Sequence, residues 1–159
     1  MNLDVQLFRI DDRLIHGQVM IGWAKYLKSE RIILCDNEVY KNKWEAELYL
    51  SCVPKEIETF VFGTKQTTEY LLNKLLPNDK TIVLVKAPNV VIEIIDAGYL
   101  PRNINIGGIH YIEKRKKYLP YLFLNDSEVK EINYLLEKNI SIYCQDLPTS
   151  KLYYIKDLI

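Results

Sequence analysis

Short, continuously apolar runs rich in β-branched residues alternate with helix-spaced segments along the whole chain, and this alternation restricts the fold more than any other feature. The runs are Val5 to Ile10, Arg31 to Cys35, Thr59 to Phe62, Thr81 to Val85, Asn103 to Ile106, Tyr121 to Leu124 and Ile140 to Cys144. Runs without polar alternation suit strands covered on both faces, as in parallel sheets. Between the first two, Val19, Trp23, Ala24 and Leu27 recur at helix spacing, and Trp44, Leu48 and Ser51 do the same before Pro54. Thr67 to Leu76 stops at Pro77-Asn78, and Asn89 to Ala97 starts after Pro88 and ends before Gly98. Asp126-Ser127 is placed to cap a last helix carrying Val129, Ile132, Leu135 and Leu136. The expected fold is α/β: an open, mainly parallel twisted sheet of about seven strands with helices on both faces.

At 159 residues the chain fits one domain, read as residues 1–159. Lysine plus arginine and aspartate plus glutamate both number 21, which argues against broad nucleic-acid or membrane-surface binding. No run approaches the roughly 18 apolar residues of a membrane span, and Met1-Asn2-Leu3-Asp4 lacks a basic region with an apolar signal core. A cytoplasmic protein is expected. Cys35, Cys52 and Cys144 are far apart among apolar neighbours, so buried free thiols are expected and no metal site.

Ligands of open α/β sheets gather at the carboxyl ends of the strands, which directs attention to the loop after the first strand. It reads Arg9-Ile10-Asp11-Asp12-Arg13-Leu14-Ile15-His16-Gly17-Gln18-Val19. His16 meets the start of a helix, where amides and the helix dipole favour an anion. Gly17 would let a backbone amide approach that anion, and Gln18 adjoins it. A neutral imidazole is a competent nucleophile toward phosphorus, Arg13 can neutralise the equatorial oxygens, and one of the aspartates can hold the arginine or the ring. The plain alternative is a helix-start histidine with Arg9 and Asp12 as a surface ion pair.

The loop resembles the motif of the IIB components of the mannose/fructose/sorbose family of the sugar phosphotransferase system. The resemblance continues at Trp23, at Phe62-Gly63-Thr64, at Asn105-Ile106-Gly107-Gly108-Ile109-His110 and at Gln145-Asp146-Leu147-Pro148. It departs at Cys35-Asp36-Asn37-Glu38, where Val-Asn-Asp-Glu is common, and at Ile109, where Met is common. It implies a phosphohistidine carrier, a protein-N-phosphohistidine–sugar phosphotransferase. His16 would take a phosphoryl group from a phosphorylated IIA partner and pass it to a sugar imported by the membrane components IIC and IID. Arg13, Gly17 and Gln18 would bind the group, with Arg9, Asp11 and Asp12 in support and no cofactor. The carrier would associate peripherally with the transporter, and a homodimer is left open.

Other readings compete. A nucleotide-binding enzyme would want a Gly-x-Gly-x-x-Gly or Gly-x-x-x-x-Gly-Lys-Ser/Thr loop, which the chain lacks. A non-catalytic regulatory or scaffold module would keep the fold without needing the intact loop. His110 is expected as a packed or solvent-facing loop residue, with lining the pocket as the alternative. Gly107-Gly108 suits a tight turn or a phosphate cradle, and Lys114 to Lys117 a solvated basic loop.

Overall fold

The computed structural model describes residues 3–159; Met1 and Asn2, part of the N-terminal reading above, lie outside them. Six parallel strands and one antiparallel edge strand form a sheet in the order β3-β2-β4-β1-β5-β8-β9. They are β1 (Leu7–Asp11), β2 (Arg31–Cys35), β3 (Glu58–Phe62), β4 (Thr81–Val85), β5 (Asn103–Gly108), β8 (Ser141–Cys144) and β9 (Tyr153–Tyr154). β6 (Lys116–Leu119) and β7 (Leu122–Leu124) pair with each other as a separate antiparallel hairpin. The run read at Tyr121 to Leu124 is therefore a hairpin strand. The seventh place in the sheet belongs to Tyr153–Tyr154, which pairs with Tyr143 and Cys144.

Both faces of the sheet are covered, which is why its strands are apolar without alternation. One face sends Leu7, Ile32, Leu34, Ile82 and Leu84 against Val19, Trp23, Ala24 and Val39. The other sends Phe8, Ile10, Ile33, Val83, Ile104 and Ile142 against Leu71, Val91, Ile94, Ile132 and Leu135. On the first face lie a π-helical segment Gln18–Ala24 running into α1 (Lys25–Leu27), then α2 (Asn37–Lys41) and α3 (Lys43–Ser51). α4 (Thr64–Asn73), α5 (Pro88–Asp96) and α6 (Asp126–Glu137) take the second.

Local chemistry sets the helix ends. Pro88 opens α5 at its first position, and Gly98 follows at φ +116°, where a side chain would strain. α6 is capped by Asn125, one residue earlier than expected: its side chain accepts from Glu128 N–H while Glu128 accepts from Asn125 N–H. Asp126-Ser127 are inside the helix. The π-helical turns place Val19 and Ala24, five apart, on one buried face with Trp23.

Two expectations about burial fail in part. Cys35 and Cys144 are buried thiols, each pushed up to about 12 by desolvation, but Cys52 is exposed. It ends α3, whose outer face carries the exposed Trp44 and Leu48 and is left uncovered by the rest of the described chain. The basic run is not all solvated loop. Lys116 and Lys117 are strand residues, and Arg115 is half-buried against Glu128, with Nη2 2.5 Å from its carboxylate.

Candidate active site

β1 lies between β4 and β5, so the loop that follows it opens at the carboxyl edge of the sheet's centre. Asp11, the last strand residue, is fully buried and is the hub of the loop. Its Oδ2 accepts from Arg9 Nη2 (3.1 Å), Arg13 Nη2 (3.0 Å) and His16 Nε2 (2.9 Å). Its Oδ1 accepts from Arg13 Nε (3.0 Å) and the Arg13 backbone N–H (3.1 Å). Burial pushes this carboxyl up, but bonds from His16 and Arg13 and the charge of Arg9 outweigh it, holding Asp11 far below the usual carboxylate range.

Asp11 therefore stays ionised and can only accept, which assigns the His16 tautomer. Nε2 carries the proton and donates it to Asp11, while Nδ1 accepts from the Gln18 backbone N–H at 3.2 Å. The ring is mostly covered, at 17% side-chain exposure, against 38% for Arg13. The unprotonated nitrogen is thus Nδ1, next to the first helical amide and Gly17. Gly17 has ordinary helical dihedrals, so its backbone does not demand glycine; a Cβ there would meet nothing nearer than Ile21 Cδ1 at 4.0 Å.

Arg9 is not a surface residue. It is fully buried, and its partner is Asp11, not Asp12. Nη1 donates to Asn105 Oδ1 (2.6 Å) and the Gln145 carbonyl (3.1 Å), and Nη2 to the Asp146 carbonyl (3.0 Å) as well as Asp11 and Gln18 Oε1. The guanidinium carbon stands 5.5 Å from the Trp23 ring centre, and Trp23 Nε1 donates to the Asp146 carbonyl at 2.8 Å. Segments far apart in sequence, at Trp23, Asn105 and Gln145-Asp146, converge on this one cation. Gln18 Oε1 closes the ring by accepting from Arg13 Nη2.

Gly107 and Gly108 form no turn; both lie in β5. Gly107 makes room for Arg9, because a Cβ on it would stand 1.8 Å from Arg9 Cζ. Asp12 points the other way, to His110: Oδ2 accepts the His110 backbone N–H (2.7 Å) and Oδ1 meets its Nδ1 (2.6 Å). His110 faces solvent in part, with 45% of its side chain exposed, while Asp12 holds it beside the loop. Spacing alone could not tell which aspartate faces inward. Nor could it find the partner of Lys86, which is Asp36 at 3.2 Å. Leu14 sits at φ +57°, held there by a Leu14 N–H bond to the Asp11 carbonyl and by burial of its side chain.

Because the Asp11 pKa is depressed on folding, its stabilising contribution is complete above the unfolded carboxylate value and is lost only as pH falls far below it. Asp11→Asn leaves Arg9 buried without its counter-charge and should cost about 3–5 kcal/mol at neutral pH. Urea unfolding at a series of pH values should show the gap between the two proteins shrinking toward strong acid. A gap constant with pH would mean the charge of Asp11 contributes nothing.

Residues 5–159 match the family described as the PTS system sorbose subfamily IIB component. The chain is 23% identical over 158 residues to the N-acetylgalactosamine-specific phosphotransferase enzyme IIB component 1 of Escherichia coli K12, covering 97% of this chain and 98% of that one. It is also 23% identical over 155 residues to the E. coli K12 PTS system mannose-specific EIIAB component, covering 98% of this chain and 48% of that longer protein. A crystal structure of an N-acetyl-galactosamine IIB component from Streptococcus pyogenes superposes with a TM-score of 0.90 at 22% identity, over 100% of this chain and 99% of the other. The match along nearly the whole chain, together with the shared sheet and helices, places this protein in the IIB family of the mannose/fructose/sorbose phosphotransferase systems, whose members are phosphotransferases of sugar transport.

Proposed function

We propose that residues 1–159 act as one phosphocarrier unit in which His16 Nδ1 takes a phosphoryl group from a phosphorylated IIA protein and yields it to a sugar at the IIC and IID membrane components. The observation that carries this reading is the tautomer: an ionised, buried Asp11 holds the proton on Nε2 and leaves Nδ1 as the nucleophile. In the accepting step the donor's P–N bond breaks as the P–Nδ1 bond forms. The His16 ring, still protonated at Nε2, becomes an imidazolium facing the Asp11 carboxylate. In the donating step that same proton lets the ring leave as neutral imidazole instead of an imidazolate. Asp11 thus serves both directions of transfer without moving.

Arg13 and the Gln18 N–H supply the oxygen contacts. Among the described contacts Arg13 binds Asp11 and Gln18 through Nε and Nη2, so Nη1 retains donors for a phosphoryl oxygen. The Gln18 N–H, now on Nδ1, is positioned to turn to an oxygen of the group that replaces its bond. Partner access is consistent with the surroundings. The two chain neighbours of His16 each line a groove: Gly17 one with the exposed Ile21 and Tyr26 and with Leu147 and Pro148, and Ile15 another with the exposed Trp44. The 48% coverage of a mannose-specific EIIAB protein also supports IIA as the donor, since that relative is named for both parts. Among the described residues no helix is long and apolar enough to cross a membrane, in keeping with peripheral association with the transporter on its cytoplasmic side.

Incubation with a phosphorylated IIA protein tests the proposal. The chain should acquire an acid-labile, base-stable phosphate, and Arg13→Lys, which keeps charge but loses the planar fork, should slow transfer by roughly 10²–10³. Transfer at the unaltered rate in Arg13→Lys would remove Arg13 from the reaction. No labelling of the unaltered chain would overturn the carrier reading.

A further inference from the structure

The chain has two histidines, and the two consecutive aspartates of the loop hold one each: Asp11 takes His16 and Asp12 takes His110. They come together across bare backbone. A Cβ on Gly108 would lie 2.9 Å from His110 Cε1, 3.2 Å from Arg13 Nη2 and 3.5 Å from Asp11 Oδ1. By the first two distances, 2.9 plus 3.2, His110 Cε1 and Arg13 Nη2 are no more than 6.1 Å apart. The imidazole and the cation that is to bind the phosphoryl group thus both lie against the bare Cα of Gly108. Its Nδ1 is committed to Asp12, its backbone is pinned by the Asp12 carboxylate and by Arg115 Nη1 on its carbonyl (2.7 Å), and almost half of the side chain remains open.

The charges around the pair are already matched. Arg9 and Arg13 are bound to Asp11, Arg115 is bound to Glu128, Asp12 is bound to His110, and Asp146 adds its charge near Arg9. Among these groups three guanidiniums stand with four carboxylates, so none of the three is in surplus to meet a phosphoryl dianion. Histidine is the side chain that supplies a positive charge by taking up a proton near neutral pH. We propose that His110, oriented by Asp12, is a second ligand of the phosphoryl group, and that it takes up a proton from solvent when His16 is phosphorylated. With Nδ1–H donated to Asp12, the incoming proton enters at Nε2, which then donates to a phosphoryl oxygen. The proton leaves again when the group is passed on, so the carrier's phosphorylated fraction rises with acidity. This inference rests on His16 as the acceptor.

Phosphoramidate, a small-molecule donor, allows a test without any partner protein. The P–N bond of the zwitterion breaks, P–Nδ1 forms, and ammonia leaves with its three protons. Ring ¹⁵N spectra of the full chain record the titration of His110 before and after reaction, and ³¹P spectra report the P–N bond. The midpoint of the His110 titration should move up by about one pH unit on phosphorylation, as expected for a new opposite charge nearby. His110→Gln, which offers a neutral donor and cannot titrate, should still be phosphorylated but should lose most of the pH dependence of the phosphorylated fraction between pH 6 and 8, on the order of the histidine range. Asp12→Asn should weaken the midpoint shift, since the ring is then less firmly held. A midpoint that does not move, or a pH dependence unaltered in His110→Gln, overturns the role of His110 while leaving His16 as the carrier. A ³¹P spectrum with no phosphohistidine in the unaltered chain overturns both, and the phosphohistidine signal tells the two failures apart.

Discussion

Chain carrying His16→Ala should take up no phosphoryl group from a phosphorylated IIA protein, and ¹⁵N spectra of the unaltered protein should place the phosphate on Nδ1. The loss is expected to be complete, because of the two imidazoles only that of His16 presents its free nitrogen to the helix amides. Cys35 and Cys144 are buried thiols pushed up to about 12 and cannot act as thiolates at neutral pH. His110 has its Nδ1 bound to Asp12, and its ring is anchored to the neighbouring strand end, not to the helix amides. The chain should still fold, weakened by about 1–3 kcal/mol, since His16→Ala removes two hydrogen bonds, one of them to the buried Asp11 carboxylate. Labelled phosphate surviving in His16→Ala, or a phosphate found on Nε2, would show that the bond to Asp11 does not select the nucleophile.

Gly107→Ala should be among the most damaging single substitutions outside the loop, although it adds only a methyl group to a strand. That methyl would coincide with the Arg9 guanidinium, 1.8 Å from Cζ and 2.0 Å from Nη2. Arg9 cannot yield without giving up Asn105, two carbonyls and Asp11 together, and Asp11 cannot lose it without loosening Arg13 and His16. A buried charge pair broken in this way costs about 3–5 kcal/mol, or a fall of about 10 °C in Tm for a domain of this size. Gly17→Ala serves as the matched control, because there the new Cβ meets only Ile21 at 4.0 Å and stability should hold. Thermal unfolding of the two variants side by side decides the matter. Equal melting temperatures would mean that β5 shifts enough to spare Arg9.

The strands that could be read directly from the sequence were those buried on both faces. Arg31 to Cys35 and Thr81 to Val85 have the same bounds in the structure, because after the part-exposed Arg31 every residue in them is apolar or β-branched and buried. The hairpin Lys116–Leu119 was hidden by its lysines, which read as a solvated run, and Tyr153–Tyr154 is too short to show any period. The loop motif pointed to the site, and period-two alternation sets Arg9 and Asp11 on the same side of β1, but it could not say that Asp12 turns to His110. That depends on the shift in strand register between Ile10 and Asp11, where β1 pairs with β5. A charged residue such as Arg9 in a buried strand gave a signal in principle: a central strand keeps a cation only if the fold supplies its acceptors. The acceptors were not visible because they arrive from Asn105, Gln145 and Asp146, far along the chain.

The order of strands has a consequence for how the protein is made. β1 precedes the other strands of the sheet in the chain, yet both of its neighbours come late: Leu7 pairs with Ile82 on one side and Arg9 with Asn105 on the other. Arg9 then waits for partners 96 and 137 positions downstream. A nascent chain emerging from the ribosome therefore carries its His16 loop without the acceptors of Arg9 until Asp146 has emerged, and contacts this remote in sequence form slowly. Arg9 gains its full set of partners only once Asp146 has been made, so a fragment stopping short of Asp146 would hold the loop residues without the acceptors that fix Arg9 beside Asp11.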